Sequence, residues 1–300
     1  MQTFLFHIAY SPETFEGIAP GFDLLDNRAN ERPDWFEYWP IRSSLAHTLD
    51  AMGEADFLGY FSPRFPEKTG LGANKLREFV VHHGASHDVL LFSPQPDISA
   101  FFANVFLAEE FFNPGFMAAA QEALRAIGLG TQLSDLVTDS RNTVFSNYFL
   151  ARRGFWQAWF AICEKIFALA ESEIGGESMF FGAEPGAGEA NRKERAPRSL
   201  LTRVTAYGGG AQIKIFLIER IATFMLASSH PHPWRAKAYE PFKLAWSAHF
   251  THSQQEAIVC DALKIAYQAT GFEAFATKYL ALQSEVLGRV LEQSQKPHST

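Results

Sequence analysis

The chain has 300 residues, 47% hydrophobic and 20% charged. That is enough to bury a full core, as one large domain or two smaller ones, and too apolar for a disordered chain. Lysine and arginine total 26 against 33 acidic residues, a net charge of −7, which argues against a general grip on nucleic acid but leaves room for a local basic pocket. The two cysteines, Cys163 and Cys260, sit in apolar helical patterns. They argue against a disulfide scaffold and for a reducing, cytoplasmic setting. The opening residues lack a basic stretch and a small-residue cleavage site, so no signal peptide is expected. The most apolar run, residues 213–227, carries Lys214, Glu219 and Arg220; it is too short and too charged to cross a bilayer. The 29 phenylalanines and 6 tryptophans read first as core, although aromatic faces also stack on sugars and bases.

In chain order, residues 3–10 form a predicted strand, followed by a polar loop and a short extended piece at 23–25. Residues 35–52 have helical spacing, 56–61 read as a strand, 74–82 as a helix and 88–92 as a third clear strand. Short strands interleaved with helices imply an α/β fold with a mainly parallel sheet. Each clear strand ends in Ser-Pro, at Ser11-Pro12, Ser62-Pro63 and Ser93-Pro94. Proline stops a ladder and holds its predecessor extended, so the pairs read as terminators. The loops after them fall at one sheet edge, where open α/β folds bind ligands. Residues 98–112 and 115–127 read as two helices broken at Asn113-Pro114, 143–151 as a strand, and the segment from Gly154 as an aromatic-rich helix. Residues 171–199, dense in Gly, Glu, Pro and Arg, read as a mobile loop. Helices are expected again after Gln212, at 247–271 and at 272–292, with a frayed end. Residues 1–228 are thus expected as an α/β domain and 229–300 as a helical extension.

P-loop, GxSxG, CxxC and HExxH motifs do not occur, and Gly70-Leu71-Gly72 and Gly128-Leu129-Gly130 lack the third glycine of a dinucleotide fingerprint. His82, His83 and His87 beside Asp88 offer a weak metal reading, against ordinary polar loop histidines; His230 and His232 carry the same low weight. More informative is the polar run Asp26-Asn27-Arg28 through Pro33, which leads into a helix. A helix N-terminus beside such a loop suits an anionic or ribose-bearing ligand, or simply a solvated cap. Glu37, among Trp35, Phe36, Tyr38 and Trp39, is hard to place as a surface charge. Arg64 and Lys68, in a loop stiffened by Pro63 and Pro66, are suited to a diphosphate, or are simply exposed basic residues of a loop. Glu219 and Arg220 lie inside an apolar helix, so they form a structural ion pair or line a cavity. In a cavity, burial would raise the Glu219 pKa and make it a general base.

The order of these features resembles bacterial capsular and lipopolysaccharide glycosyltransferase-like domains of GT-A type. The matching residues are Asp26-Asn27 through Glu37-Tyr38-Trp39, Gly59-Tyr60-Phe61-Ser62-Pro63-Arg64-Phe65, Asn147-Tyr148-Phe149 with Phe155-Trp156, and Glu219-Arg220. The resemblance spans residues 3–227. It implies a Rossmann-like sheet and transfer of a sugar from a nucleotide-sugar donor to an oligosaccharide or lipid-linked glycan in bacterial surface polysaccharide synthesis. Nucleic acid is not an expected partner, and peripheral membrane contact stays open. Ser11, Asp26, Asn27, Arg28, Glu37, Arg64 and Lys68 would bind the donor, and Asn147, Tyr148 and Arg220 the acceptor. Glu219, or alternatively Asp88, would act as base. GT-A enzymes carry an Asp-x-Asp that holds Mn²⁺ or Mg²⁺, and no such triplet occurs here; either a single acid such as Asp88 serves, or Arg64 and Lys68 replace the metal. A glycan-binding protein without chemistry and a histidine-based metal hydrolase are the rival readings.

Overall fold

The computed structural model describes residues 1–174, 212–247, 250 and 252–294. Most of the expected loop at 171–199, and the chain end after 294, lie outside them. The chain forms an α/β fold around a six-stranded mixed sheet of order β2-β1-β3-β5-β4-β6. Its strands are β1 (Thr3–Ala9), β2 (Asp23–Asp26), β3 (Phe57–Phe61), β4 (Val89–Leu91), β5 (Phe149–Ala151) and β6 (Ala236–Ala238). β1 runs parallel to β2 and β3, and β4 parallel to β6, while β5 lies antiparallel between β3 and β4. The sheet is therefore mainly parallel, with one reversed strand.

Alternation along the strands makes two cores. Phe4, Phe6, Ile8, Leu58, Tyr60, Val89, Leu91, Phe149 and Ala151 face one side, and Leu5, Phe57, Phe61, Leu90 and Leu150 the other, as a period of two requires. The larger core is covered by α2 (Tyr38–Ala51), α7 (Phe116–Ala126), α8 (Arg153–Ile174) and α9 (Ile213–Ser228). The smaller core is closed by α3 (Phe65–Thr69) and α4 (Ala73–His83). Gly59 lets β5 approach β3, since a Cβ there would stand 2.5 Å from Leu150 Cδ2.

Four expectations change. The 98–112 helix is two, α5 (Pro96–Phe101) and α6 (Val105–Phe112). Asn104 separates them: its side chain accepts from the Phe106 and Leu107 amides at 2.9 Å and donates to the Leu133 and Leu136 carbonyls. The 35–52 helix starts later, because Pro33–Trp35 form a 3-10 turn and Phe36 adopts φ 46° before α2. Only Phe149–Ala151 of the 143–151 strand joins the sheet. Upstream, the Val144 amide donates to Thr223 Oγ1 of α9 and the Phe145 amide to Ser93 Oγ, both at 2.8 Å, so these contacts take the place of ladder bonds. Finally, β6 lies beyond residue 228, so the sheet draws its last strand from the expected extension. The remaining helices, α10 (Gln254–Thr270) and α11 (Glu273–Ser294), pack on each other and on α5. The short α1 (Pro12–Glu16) follows β1. No helix among the described residues is long and apolar enough to cross a membrane.

Candidate functional site

The three Ser-Pro pairs stand at one edge, since β1, β3 and β4 run in the same direction. The reversed β5 brings the residues just before it to that edge as well. Between β1 and β3 the chain order switches direction, the place where open α/β sheets form a ligand crevice. Ser62, past the end of β3, bonds through its hydroxyl to Tyr148 OH at 2.5 Å, and Ser93 holds the Phe145 amide. The pairs thus do more than end strands: two of them fix the 145–148 segment over the edge.

That segment makes a sharp turn, with Ser146 at φ 56° and Asn147 at φ 53°. It faces the strained Phe36, and between them lies a cavity of about 100 Å³ lined by Trp35, Phe36, Glu37, Tyr38, Asn147, Ile215, Ile218 and Glu219. Because the helix begins after Glu37, this residue occupies the N-cap position of α2 and its carboxyl turns into the cavity. Its setting is anchored at long range. Arg32 pairs with Asp34 at 3.0 Å and Glu171 at 2.6 Å, and Asp34 accepts from buried Lys214 at 2.7 Å. The Trp35 indole N–H donates to Glu171 at 2.9 Å, while Tyr38 OH and Arg42 converge on Glu164. This network ties the segment before α2 to α8 and α9.

The electrostatics are those of two half-buried carboxyls whose pKa values both rise, with the Lys68 charge opposing the rise. Burial, then the neighbouring Glu219 charge, pushes Glu37 up to about 7, and Lys68 opposes the shift. Glu219 is also raised, first by burial and then by Glu109, against the pull of Arg220 and Lys68. Lys68, on α3, donates to Ser146 Oγ at 3.3 Å and lies 5.6 Å from the Tyr148 ring centre. Tyr10, at the end of β1, is pushed up to about 12 by burial and by Glu37.

Glu37, Asn147 and Glu219 therefore line one cavity, and Lys68 and Tyr148 lie beside it next to the Ser146-Asn147 turn. Tyr148 is fully buried and its hydroxyl is held by Ser62, so it is a wall of the site rather than a free acceptor contact. Arg64 departs from expectation: its side chain is 64% exposed and paired with Glu67 at 2.8 Å, because it caps α3 on the solvent side. Ser11 is spent on a capping box with Thr14. Asp26 and Arg28 pair with each other at 2.7 Å, Arg28 covers Phe15, and the Asn27 amide donates to the Ala9 carbonyl; none of these contacts reaches the cavity.

Two candidates are corrected outright. Asp88 precedes β4 and so lies at the opposite sheet edge, where Arg235 pairs with it at 2.9 Å. Although burial works against it, the Arg235 bonds hold its pKa below the ordinary carboxylate value. Arg220 points away from the cavity: it is buried, paired with Glu109, and donates to the Val105 and Phe216 carbonyls. The Glu-Arg dipeptide serves both expectations: Glu219 lines the cavity, while Arg220, held in the core, keeps an ion pair with it at 4.0 Å. Among the described residues no three His, Cys, Asp or Glu side chains are grouped to hold a metal; His82 and His87 instead bond the Glu78 and His83 carbonyls. Both cysteines are buried with their thiols pushed up by desolvation, which disfavours a thiolate nucleophile. Comparison with family models, curated proteins and solved structures finds no match.

Phe36 is a part of the site that spacing along the chain did not reveal. The only early signal was the aromatic run around Glu37, whose left-handed kink depends on tertiary anchors.

Proposed function

We propose that the chain is a glycosyltransferase with a GT-A-like sheet, which moves a sugar from a nucleotide donor to a glycan hydroxyl in surface polysaccharide synthesis. The observation that carries this reading is that two carboxyls, Glu37 and Glu219, share one cavity at the switch-point edge, with the Lys68 charge acting on both from beside it. Lys68 faces the leaving diphosphate, where a fixed cation stabilises developing negative charge. Arg64 can join it, since an exposed pair such as Arg64–Glu67 is worth little and exchanges readily. Glu219 accepts the proton of the acceptor hydroxyl, for which a raised carboxylate pKa is suited. The hydroxyl oxygen bonds to the anomeric carbon, the carbon–oxygen bond to the diphosphate breaks, and the nucleoside diphosphate leaves with that electron pair. The donor set does not fit a resident Mn²⁺ or Mg²⁺. The Asp-x-Asp is missing, no three metal-ligating side chains are grouped among the described residues, and the Lys68 charge already acts on both carboxylates.

The test is a thermal-shift screen with UDP, GDP, CMP and TDP sugars, followed by turnover of the responding donor in Glu219→Gln. Stabilisation by at least one donor and loss of turnover in the variant are expected. Full activity in Glu219→Gln would remove the assigned role, while glycan binding without any nucleotide response would favour a binding protein without chemistry.

A further inference from the structure

Two non-glycine residues with left-handed backbones, Phe36 and Asn147, line the same cavity. Such residues cost of order 1–3 kcal/mol each and concentrate at ligand sites. Each also shows an unmet contact. The Phe36 side chain is large, apolar and 44% exposed. Asn147 is only 3% exposed, yet its side-chain oxygen has no hydrogen-bond partner among the described residues. A buried polar atom left unpaired costs about 1–3 kcal/mol, so a ligand that pairs with it recovers that cost. The cavity, at about 100 Å³, has room for about three waters at ~30 Å³ each, on the scale of the hydroxyls along one edge of a sugar ring. Its polar rim of Asn147, Glu37 and Glu219 suits hydroxyl donors, and the exposed Phe36 ring suits the apolar face of a pyranose.

We infer that Phe36 and Asn147 form the subsite that selects the transferred sugar, the aromatic ring packing on its apolar face and the amide bonding a ring hydroxyl. This rests on the glycosyltransferase reading, moves Asn147 from the expected acceptor side to the donor sugar, and adds the residues that discriminate the sugar from the nucleotide carrying it. The experiment is calorimetric titration of the full-length chain with paired probes, UDP against UDP-glucose and GDP against GDP-mannose. Wild type, Phe36→Gly, Asn147→Gly and Phe36→Tyr are compared. Glycine suits both backbone positions, so neither glycine variant is expected to lower the melting temperature.

For at least one pair, wild type binds the sugar-bearing probe about tenfold or more tightly than the bare diphosphate, a difference of about 1.4 kcal/mol. Both glycine variants lose that factor, bind the bare diphosphate unchanged, and keep their melting temperatures; Phe36→Tyr retains the factor. A factor that is missing from wild type, or that persists in both glycine variants, overturns the inference while leaving the nucleotide site intact. Absence of binding by UDP and GDP, and equally by TDP and CMP, overturns the glycosyltransferase reading itself, and this subsite with it.

Discussion

Replacing Glu37 by Gln isolates the cost of holding a carboxylate in the cavity. A carboxyl that titrates at about 7 in the folded chain, against an ordinary 4.5, is harder to ionise there than in the unfolded chain. At about 1.36 kcal/mol per pKa unit this amounts to about 3 kcal/mol, and its partial exposure lowers that to about 2 kcal/mol. The sign follows from proton uptake: between pH 4.5 and 7 the folded chain binds more protons than the unfolded one, so stability falls as pH rises through that window. Below it, Glu37 is protonated in both states and nothing is lost. Glu37→Gln is therefore expected to match wild type near pH 4 and to be about 2 kcal/mol more stable at pH 8. Urea unfolding followed by circular dichroism at both pH values reads the difference. An equal stability gap at pH 4 and pH 8 would refute a desolvated Glu37.

Glu109→Ala leaves buried Arg220 without its carboxylate and is expected to destabilise by about 3–5 kcal/mol, read as a lower denaturant midpoint. Joint replacement of Glu109 and Arg220 by Leu and Met should recover most of that loss. Tyr148→Phe removes the bond to Ser62 within the core and should cost about 1–3 kcal/mol by the same measurement. Asp88→Asn, at the far sheet edge, should leave turnover of the responding nucleotide sugar unchanged; a collapse of activity would restore Asp88 as a catalytic candidate.

Much of the scaffold was legible because β1, β3 and β4 are apolar runs closed by Ser-Pro, a signal carried within a few residues. β6 was not, since Ala236-Lys237-Ala238 has no β-branched or aromatic residue and owes its conformation to pairing with β4. Asn104 could have been read as a cap, being a residue type favoured there. Glu37 was flagged by its aromatic neighbours, but its turn into the cavity depends on the Phe36 kink and on partners such as Glu171, 136 positions from Trp35. Which of Glu219 and Arg220 turns to the core was equally out of reach. Adjacent residues on a helix point about 100° apart, and only the position of Glu109, 111 residues from Arg220, decides which of them the core receives.

The central claim is that Lys68 at the sheet edge holds a pyrophosphate. Calorimetric titration of a panel of nucleoside diphosphates into wild type and Lys68→Met tests it most directly. Saturable binding to wild type, weakened about tenfold or more in the variant, is the expected result. Equal affinity in the two proteins, or no heat of binding from any of them, would contradict it.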